Sequence, residues 1–156
     1  MDIYSILISL GIPYTKYEHA PFFTCEDADE FYKNMPGGHS KNLFLKAKKS
    51  EKYYLFILES HKRADLKVLA YFLGESGLSF ASANDLMHYL KVIPGLVSPF
   101  ALIHDEAKAV QVILDKDLLR HDTLYYHPNI NTSTLGIKRE DFERFLRAMD
   151  CKLHFT

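Results

Sequence analysis

Three short segments carry residue types that together can hold a charged, carbonyl-containing ligand. Lys41 and Asn42 stand directly before an apolar run. The segment Gly95–Pro99 is a loop that begins with glycine and ends with proline. His127 opens an HPN sequence at the end of a strand-like run. A fixed cation can bind a phosphate, free backbone amides can polarise a carbonyl, and a neutral imidazole can orient a hydroxyl. The three segments therefore have complementary chemistry.

Taken singly, each segment has a simpler explanation. A lysine before a strand is usually solvated, a Gly-x-x-x-Pro sequence is usually a turn, and a histidine at a strand end usually hydrogen-bonds a backbone carbonyl. The same applies to the lysines that follow in the predicted hairpin, for which we expect at most a weak contribution to RNA steering; they are Lys46, Lys48, Lys49 and Lys52. Loop ends on a rigid scaffold are nevertheless where functional residues concentrate.

Other kinds of site lack their sequence signals. The eight histidines form no HxxxH or HExxH pair and no cysteine pair lies near them, so we expect no metal site. A GxSxG elbow, a GxxxxGK[ST] phosphate loop and a GxGxxG fingerprint are also absent from the sequence. Ser98 has no recognisable base in the adjacent sequence. We therefore expect neither a protein nucleophile nor a nucleotide cofactor.

The elements that must position these segments follow from apolar periodicity. Helical spacing predicts four helices: one through Ile3, Leu7 and Leu10 that ends at Gly11, one from Leu66 to Leu73 that ends at Gly74, a short one that begins after Ser82 with Asp85 three residues on, and one through Phe142, Phe145, Leu146 and Met149. Seven strand-like runs lie between them: Leu43–Leu45, Tyr53–Leu58, Leu78–Ala81, Phe100–Ile103, Ala109–Leu114, Leu124–His127 and Ser133–Ile137. This interleaving predicts a mixed α/β (α+β) fold, with one domain over residues 1–156.

Composition limits the function classes. Apolar residues make up 47% and charged residues 25% of the 156 residues, as in an ordinary globular protein. Because 19 basic and 20 acidic side chains give a net charge of −1, we do not expect the protein to coat long nucleic acids, although a small footprint on one RNA end is compatible. The sequence has no signal-like start or membrane-length apolar run. With only Cys25 and Cys151, we expect reduced thiols and a cytoplasmic location.

Five stretches taken together resemble one known family. They are SKNLFLKAKKSEKYYLFIL, KRADLKVLAYFLG, LSFASANDLMHYLKVIPGLVSPFALI, VILDKDLL and HPNINTSTLGI. In this order they resemble the YbaK and prolyl-tRNA synthetase editing-domain family, over roughly residues 15–155. The resemblance is closest to its free-standing alanyl-tRNA(Pro) deacylase branch, the ProX or PrdX type.

The resemblance implies a fold, a reaction and a site. The fold would be a central, mixed, partly barrel-like sheet of about seven strands with flanking helices. The reaction would be metal-free hydrolysis of tRNA(Pro) mischarged with alanine, acting in trans and assisted by the 2′-hydroxyl of the terminal ribose. Lys41 would anchor the 3′-terminal adenosine, Gly95 would open the loop that stabilises the oxyanion, and His127 would orient substrate or water. The substrate-binding residues implied are Asn42, Leu96, Val97, Ser98, Pro99 and Asn129.

Some questions stay open at this level. Cys-tRNA(Pro) or another aminoacyl-tRNA is an alternative substrate, and a non-catalytic domain that binds tRNA or a synthetase is an alternative of another class. Prolyl-tRNA synthetase is a further candidate partner beside the acceptor end of tRNA(Pro), and the oligomeric state is open. His104 stands where the family commonly has asparagine, and Lys91 where glycine is usual. We expect His104 to be a surface substitution, and both departures leave Lys41, Gly95, Pro99 and His127 in place.

Overall fold

The computed structural model describes residues 2–156, except for the side chain of Cys25. Five α-helices lie along the chain: α1 Ile3–Ser9, α2 Cys25–Tyr32, α3 Leu66–Leu73, α4 Ala83–Leu90 and α5 Arg139–Ala148. Two 3₁₀-helices span Pro99–His104 and Lys116–Arg120. No helix within the described part of the chain has the length and apolar character needed to cross a membrane.

Eight strands form one mixed sheet. They are β1 Thr15–Glu18, β2 Gly38–Ala47, β3 Tyr53–Glu59, β4 Leu78–Phe80, β5 Val110–Leu114, β6 Thr123–Tyr126, β7 Ser133–Lys138 and β8 Leu153–Phe155. The strand order is β1-β7-β6-β2-β3-β5-β8, and β4 pairs with β2 outside this path. The predicted mixed α/β class is therefore confirmed, with eight strands rather than about seven.

Strand β2 is the branch point of the sheet. One of its edges pairs with β3 from Ser40 to Lys46. The other edge pairs with β6 at Gly38 and His39, and with β4 only from Leu45 onward. The stretch 40–44 thus lies between two diverging partner strands, and the sheet has an opening there.

Two apolar clusters cover the two faces of the sheet. The larger contains Phe44 of β2, Ile57 of β3, Phe100 of the first 3₁₀-helix and Phe142 of α5. The smaller lies under α3 and includes Leu45 of β2. Because Phe44 and Leu45 are adjacent and face opposite clusters, side chains of β2 alternate between the two faces, as the pleat requires.

The predicted helices are confirmed where local signals were strong. Asp65 caps α3 by accepting from the amides of Lys67 and Val68, and Gly74 ends it in the left-handed conformation at φ 71°. Ser82 caps α4 by accepting from the Asp85 amide, as its spacing predicted. Helix α5 begins at Arg139, three residues before the first predicted apolar position.

The predicted strand over Phe100–Ile103 is wrong, because this segment is the 3₁₀-helix Pro99–His104. The Ser98 side chain accepts from the Phe100 amide and caps the helix, and Pro99 presets the first helical φ. The first predicted strand also begins earlier than expected. Since β2 starts at Gly38, Lys41 and Asn42 lie inside a strand rather than before one.

Four elements were not predicted: the short strands β1 and β8, helix α2 and the 3₁₀-helix Lys116–Arg120. The two strands have four and three residues, with no buried residue in either. Helix α2 is largely polar, but Thr24 and Asp27 form a complete capping box at its start. Cys151 is a free thiol, and the expectation of a second free thiol concerns the Cys25 side chain, which lies outside the described residues.

Candidate functional site

The splay between β2 and β6 brings Lys41 and His127 to one face of the sheet. The two strands are parallel, with His39 opposite Tyr125, and the rings of these two residues stack at 4.9 Å. Strand β6 then ends at Tyr126, and the chain turns away at Pro128. Alternation along the chain directs Lys41 and His127 to the face that His39 and Tyr125 share, beyond the point where the two strands stop pairing.

Lys41 lies in the wall of a cleft of about 510 Å³ between α2 and the ends of β2 and β3. The cleft is lined by Ala28, Asp29, Tyr32, Lys33, His39, Ser40, Lys41, Ser60 and His61. Lys41 is partly buried and makes no ion pair with any carboxylate of the described residues. Its ammonium group is thus available to an external anion, which distinguishes Lys41 from Lys62, paired with Asp115 and Asp117.

The geometry around His127 fixes which ring nitrogen carries the proton. Nδ1 lies 2.9 Å from the Ser133 carbonyl oxygen, which can only accept, so Nδ1 donates. Burial lowers the pKa of His127 from 6.5, so the ring is neutral near pH 7 and Nε2 has a free lone pair. Nε2 has no hydrogen-bond partner within residues 2–156, and it is not one of the unpartnered buried atoms. His127 therefore offers an accessible acceptor.

An aromatic cluster packs around His127. The rings of His19 and Phe22 lie 5.9 and 5.8 Å from the His127 ring. Phe31 and Tyr32 of α2 pack in turn on Phe22, at 5.6 and 5.8 Å. Tyr32 also lies 4.4 Å from His39 and lines the Lys41 cleft, so this ring separates the cleft from the His127 cluster.

A hydrogen-bond chain ties this cluster to β7. His19 Nδ1 donates to the Ala20 carbonyl at 2.8 Å, and in a neutral ring His19 Nε2 then accepts from the Thr134 hydroxyl at 2.9 Å. The Thr134 oxygen in turn accepts from the Tyr32 hydroxyl at 3.0 Å. Thr134 is fully buried, and through it this chain of hydrogen bonds connects α2 to β7.

The Gly95–Pro99 loop retains free backbone donors. Gly95 has φ +93° and Leu96 donates its amide to the Ile93 carbonyl. For the amides of Gly95, Val97 and Ser98 we find no acceptor within the described part of the protein. The loop therefore presents two candidate donors, the amides of Gly95 and Val97, since the Leu96 amide is engaged and Ser98 is fully buried.

Two asparagines join the predicted segments. Asn42 Nδ2 donates to the Val97 carbonyl at 3.2 Å, while Asn42 Oδ1 accepts from the Ser40 hydroxyl at 3.0 Å. Asn129, at φ 66°, donates to the Phe100 carbonyl at 3.4 Å. These contacts link β2 to the middle of the Gly95–Pro99 loop and the HPN loop to the residue that follows it. Among residues 2–156 no hydrogen bond or ion pair joins Lys41 or His127 directly to that loop.

The two departures from the family pattern line one separate depression, Lys91 at the end of α4 and His104 at the end of the first 3₁₀-helix. Lys91 ends α4 in the left-handed conformation at φ 58°, where glycine is the usual residue. His104 is partly buried, and its Nδ1 donates to the Leu90 carbonyl at 2.7 Å. His104 thus satisfies a helix-end carbonyl in addition to lying near the surface. No group of three metal-ligating side chains occurs in the part of the chain that the structure describes.

Comparison with known proteins decides the family. The aminoacyl-tRNA editing domain family matches residues 19–145. The chain belongs to this family. Its members are aminoacyl-tRNA deacylases, which hydrolyse the ester between an amino acid and its tRNA. The predicted family resemblance is therefore confirmed.

Individual relatives match nearly the whole chain. The prolyl-tRNA editing protein ProX of Acetoanaerobium sticklandii is 37% identical over 142 residues, which cover 91% of this chain and 87% of the relative. Prolyl-tRNA synthetase associated domain-containing protein 1 of Bos taurus is 36% identical over 145 residues, covering 90% and 84%. A crystal structure of a candidate trans-editing enzyme for prolyl tRNA synthetase superposes with a TM-score of 0.73 at 17% identity, covering 98% and 92%, which supports the fold.

Proposed function

We propose that this editing domain acts in trans on tRNA(Pro) mischarged by prolyl-tRNA synthetase, and that Ala-tRNA(Pro) is its main substrate. The similarity to the prolyl-tRNA editing protein ProX over 91% of the chain supports tRNA(Pro) as the tRNA of the substrate. The placement of Lys41 and His127 on one face of the sheet carries the proposal, because it gives that face an unpaired cation and a neutral imidazole, with Tyr32 between their surroundings. An apolar synthetase pocket rejects a smaller side chain by only about 1–3 kcal/mol, so a separate editor is needed.

Lys41 binds the 3′-terminal adenosine in this proposal. Its cleft of about 510 Å³ lies within the usual size range of ligand pockets, about 300–1,000 Å³. A charge-assisted contact from the ammonium to a phosphate or ribose oxygen fixes the end of the tRNA there. Lys33 and His61 line the same cleft and are further polar groups within reach of the RNA backbone. One such contact needs only a small footprint, in keeping with the net charge of −1.

The Gly95–Pro99 loop stabilises the charge that develops on the ester carbonyl. When a hydroxide equivalent adds to the carbonyl carbon, the oxygen becomes an anion, and free amides directed at it lower the barrier. Gly95 and Val97 supply the candidate amides. Leu96 and Pro99 shape the loop, and Asn42 fixes it through the Val97 carbonyl. We accordingly assign Asn42 to positioning the loop as much as to binding the nucleotide.

His127 orients the groups that attack the ester, namely the water molecule or the 2′-hydroxyl that activates it. Its Nε2 accepts a hydrogen bond from a water molecule or from the 2′-hydroxyl of the terminal ribose. The 2′-hydroxyl in turn activates the water, so the substrate supplies part of the catalysis. Asn129 holds the HPN loop against Phe100 and thereby keeps the imidazole in place. No metal ion or organic cofactor enters these steps.

The test compares esters on one tRNA. Purified protein is incubated with tRNA(Pro) charged with alanine, cysteine, serine or proline, at enzyme concentrations well below the substrate. We expect the alanyl ester to be lost fastest and the prolyl ester to persist. Faster loss of the cysteinyl ester would instead identify a Cys-tRNA(Pro) deacylase, and binding without turnover of any ester would identify a regulatory tRNA-binding domain, with prolyl-tRNA synthetase as a candidate partner.

A further inference from the structure

Phe22 occupies the space beside the His127 imidazole. Its ring lies flat on His19, with centroids 4.1 Å apart and planes 4° from parallel. The same ring is 5.8 Å from the His127 ring, a separation at which two aromatic side chains are already in contact. The two rings therefore form one continuous wall.

Phe22 is held in this position from two directions. Phe31 and Tyr32 pack against it from α2. On the other side, the side-chain amide of Asn131 donates to the Phe22 carbonyl at 3.1 Å and accepts from the Phe22 amide at 3.4 Å. Asn131 is part of the loop that begins at His127. One loop therefore carries both the imidazole and the side chain that fixes Phe22, so the position of Phe22 relative to the imidazole is set locally.

From this arrangement we infer that Phe22 determines which acyl group the site accepts, and that Asn131 is the residue that positions it. The inference rests on the proposed deacylase function. The ester carbonyl must lie near His127, so the amino-acid side chain projects into the space that Phe22 borders. An alanyl group has one side-chain carbon, whereas a prolyl group adds two methylenes in a ring. Phe22 bounds this space on one side, so we expect it to accept the first and to collide with the second.

The test is the ratio of prolyl to alanyl ester hydrolysis on tRNA(Pro), measured as kcat/KM. Phe22→Ala should raise this ratio by roughly tenfold or more, since each methylene admitted or rejected by an apolar pocket changes selectivity about 10- to 200-fold. Phe23→Ala is the matched control, because Phe23 is the adjacent residue with the same side chain and is 86% exposed. The control should leave the ratio unchanged. If Phe22→Ala is too unstable, Phe22→Leu should raise the ratio in the same direction.

Asn131→Ala tests the positioning role. It should raise the prolyl-to-alanyl ratio less than Phe22→Ala does, and in the double variant it should add nothing further, because both changes act on one wall. A loss of thermal stability with no change in the ratio would show that Asn131 only holds the loop together.

The outcomes separate the two proposals. A wild-type ratio close to zero that stays unchanged in Phe22→Ala and Phe22→Leu, whatever their absolute rates, overturns the role of Phe22 and leaves the deacylase function standing. Absence of alanyl ester hydrolysis by the wild-type protein overturns the proposed substrate itself. In that case the same ratio, taken between the preferred ester and the prolyl ester, still decides whether Phe22 sets the acyl size.

Discussion

Replacing Gly95 by alanine tests the oxyanion loop without removing any side-chain contact. Gly95 has φ +93°, and a Cβ added there meets no atom within 4 Å. The cost is therefore in the backbone, because a side chain disfavours positive φ by about 1–2 kcal/mol. Relaxation toward negative φ would move the neighbouring amides of the loop. A displacement near 1 Å in a catalytic group can lower the rate about 100-fold.

Gly74 provides the matched control for this substitution. It also has positive φ, at +71°, with nothing within 4 Å of an added Cβ, but it ends α3 on another part of the domain. Gly74→Ala should therefore cost about the same 1–2 kcal/mol. For a chain of this size, each kcal/mol lowers the melting temperature by about 2–4 °C, so both variants should melt about 2–8 °C below wild type.

The assay pairs thermal melting with the initial rate of ester hydrolysis on Ala-tRNA(Pro). We expect Gly95→Ala to lose about 10- to 100-fold in kcat/KM and Gly74→Ala to stay within about twofold of wild type. Equal melting shifts with equal activities would refute the assignment of the Gly95 loop, because the amides would then have moved without effect on the reaction.

Three further predictions concern the other site residues. Because burial lowers the pKa of His127 from 6.5, activity should be constant at neutral pH and fall as the pH drops through that lowered pKa, where Nε2 gains a proton; a rate–pH profile measures this. Lys41→Ala should lower kcat/KM about 10- to 100-fold, the equivalent of one charge-assisted hydrogen bond of about 1.5–3 kcal/mol, with little change in melting temperature; Lys49→Ala in the exposed hairpin is its control. Asn42→Ala should cost about 1–3 kcal/mol in unfolding free energy and lower activity as well, because Val97 loses its partner; chemical denaturation and the ester assay measure the two effects.

Each of these has a distinct contradicting result. A rate that is flat through the acid range, or that falls only on the alkaline side, removes the neutral His127 from the mechanism. Lys41→Ala with the activity of Lys49→Ala removes Lys41 from tRNA binding. Asn42→Ala that loses stability but keeps full activity separates the Val97 contact from catalysis.

The pH dependence of stability has the same sign as that of activity. His127, His39 and His154 all have a pKa lowered by burial, so the unfolded chain binds their protons first as the pH falls. Between the lowered values and about 6.5 the unfolded state therefore gains relative stability, and the unfolding free energy should decrease with falling pH. The decrease begins near the ordinary histidine pKa.

Elements with local end signals were predictable from the sequence, and those that depend on distant partners were not. Asp65 and Gly74 mark the two ends of α3, and Ser82 marks the start of α4, within a few residues of the chain. Apolarity alone does not distinguish a strand from a helix in the buried run around Phe100. The Ser98 side-chain cap favours the helix that the structure shows. The capping box at Thr24 was a usable signal for α2 that apolar periodicity did not show.

The site shows the same division. Its three segments were predicted from residue type and from the family resemblance, but their arrangement depends on the parallel pairing of β2 with β6, which joins residues more than 80 positions apart. The adjacent Lys41 and Asn42 were expected to act together on the nucleotide. Because both lie within β2, alternation directs them to opposite faces, and Asn42 donates to the Val97 carbonyl. Phe22 lies outside the five recognised stretches, and Asn131 lies inside HPNINTSTLGI, but its contact with Phe22 arises only from packing.

The most direct test of the account is multiple-turnover hydrolysis of Ala-tRNA(Pro) by the wild-type protein, with Lys41→Ala as its paired control. We predict that the wild-type protein removes many equivalents of the alanyl ester while Pro-tRNA(Pro) remains charged. Lys41→Ala should be at least tenfold slower in kcat/KM. Survival of the alanyl ester at the uncatalysed rate, in the presence of folded wild-type protein, would contradict it.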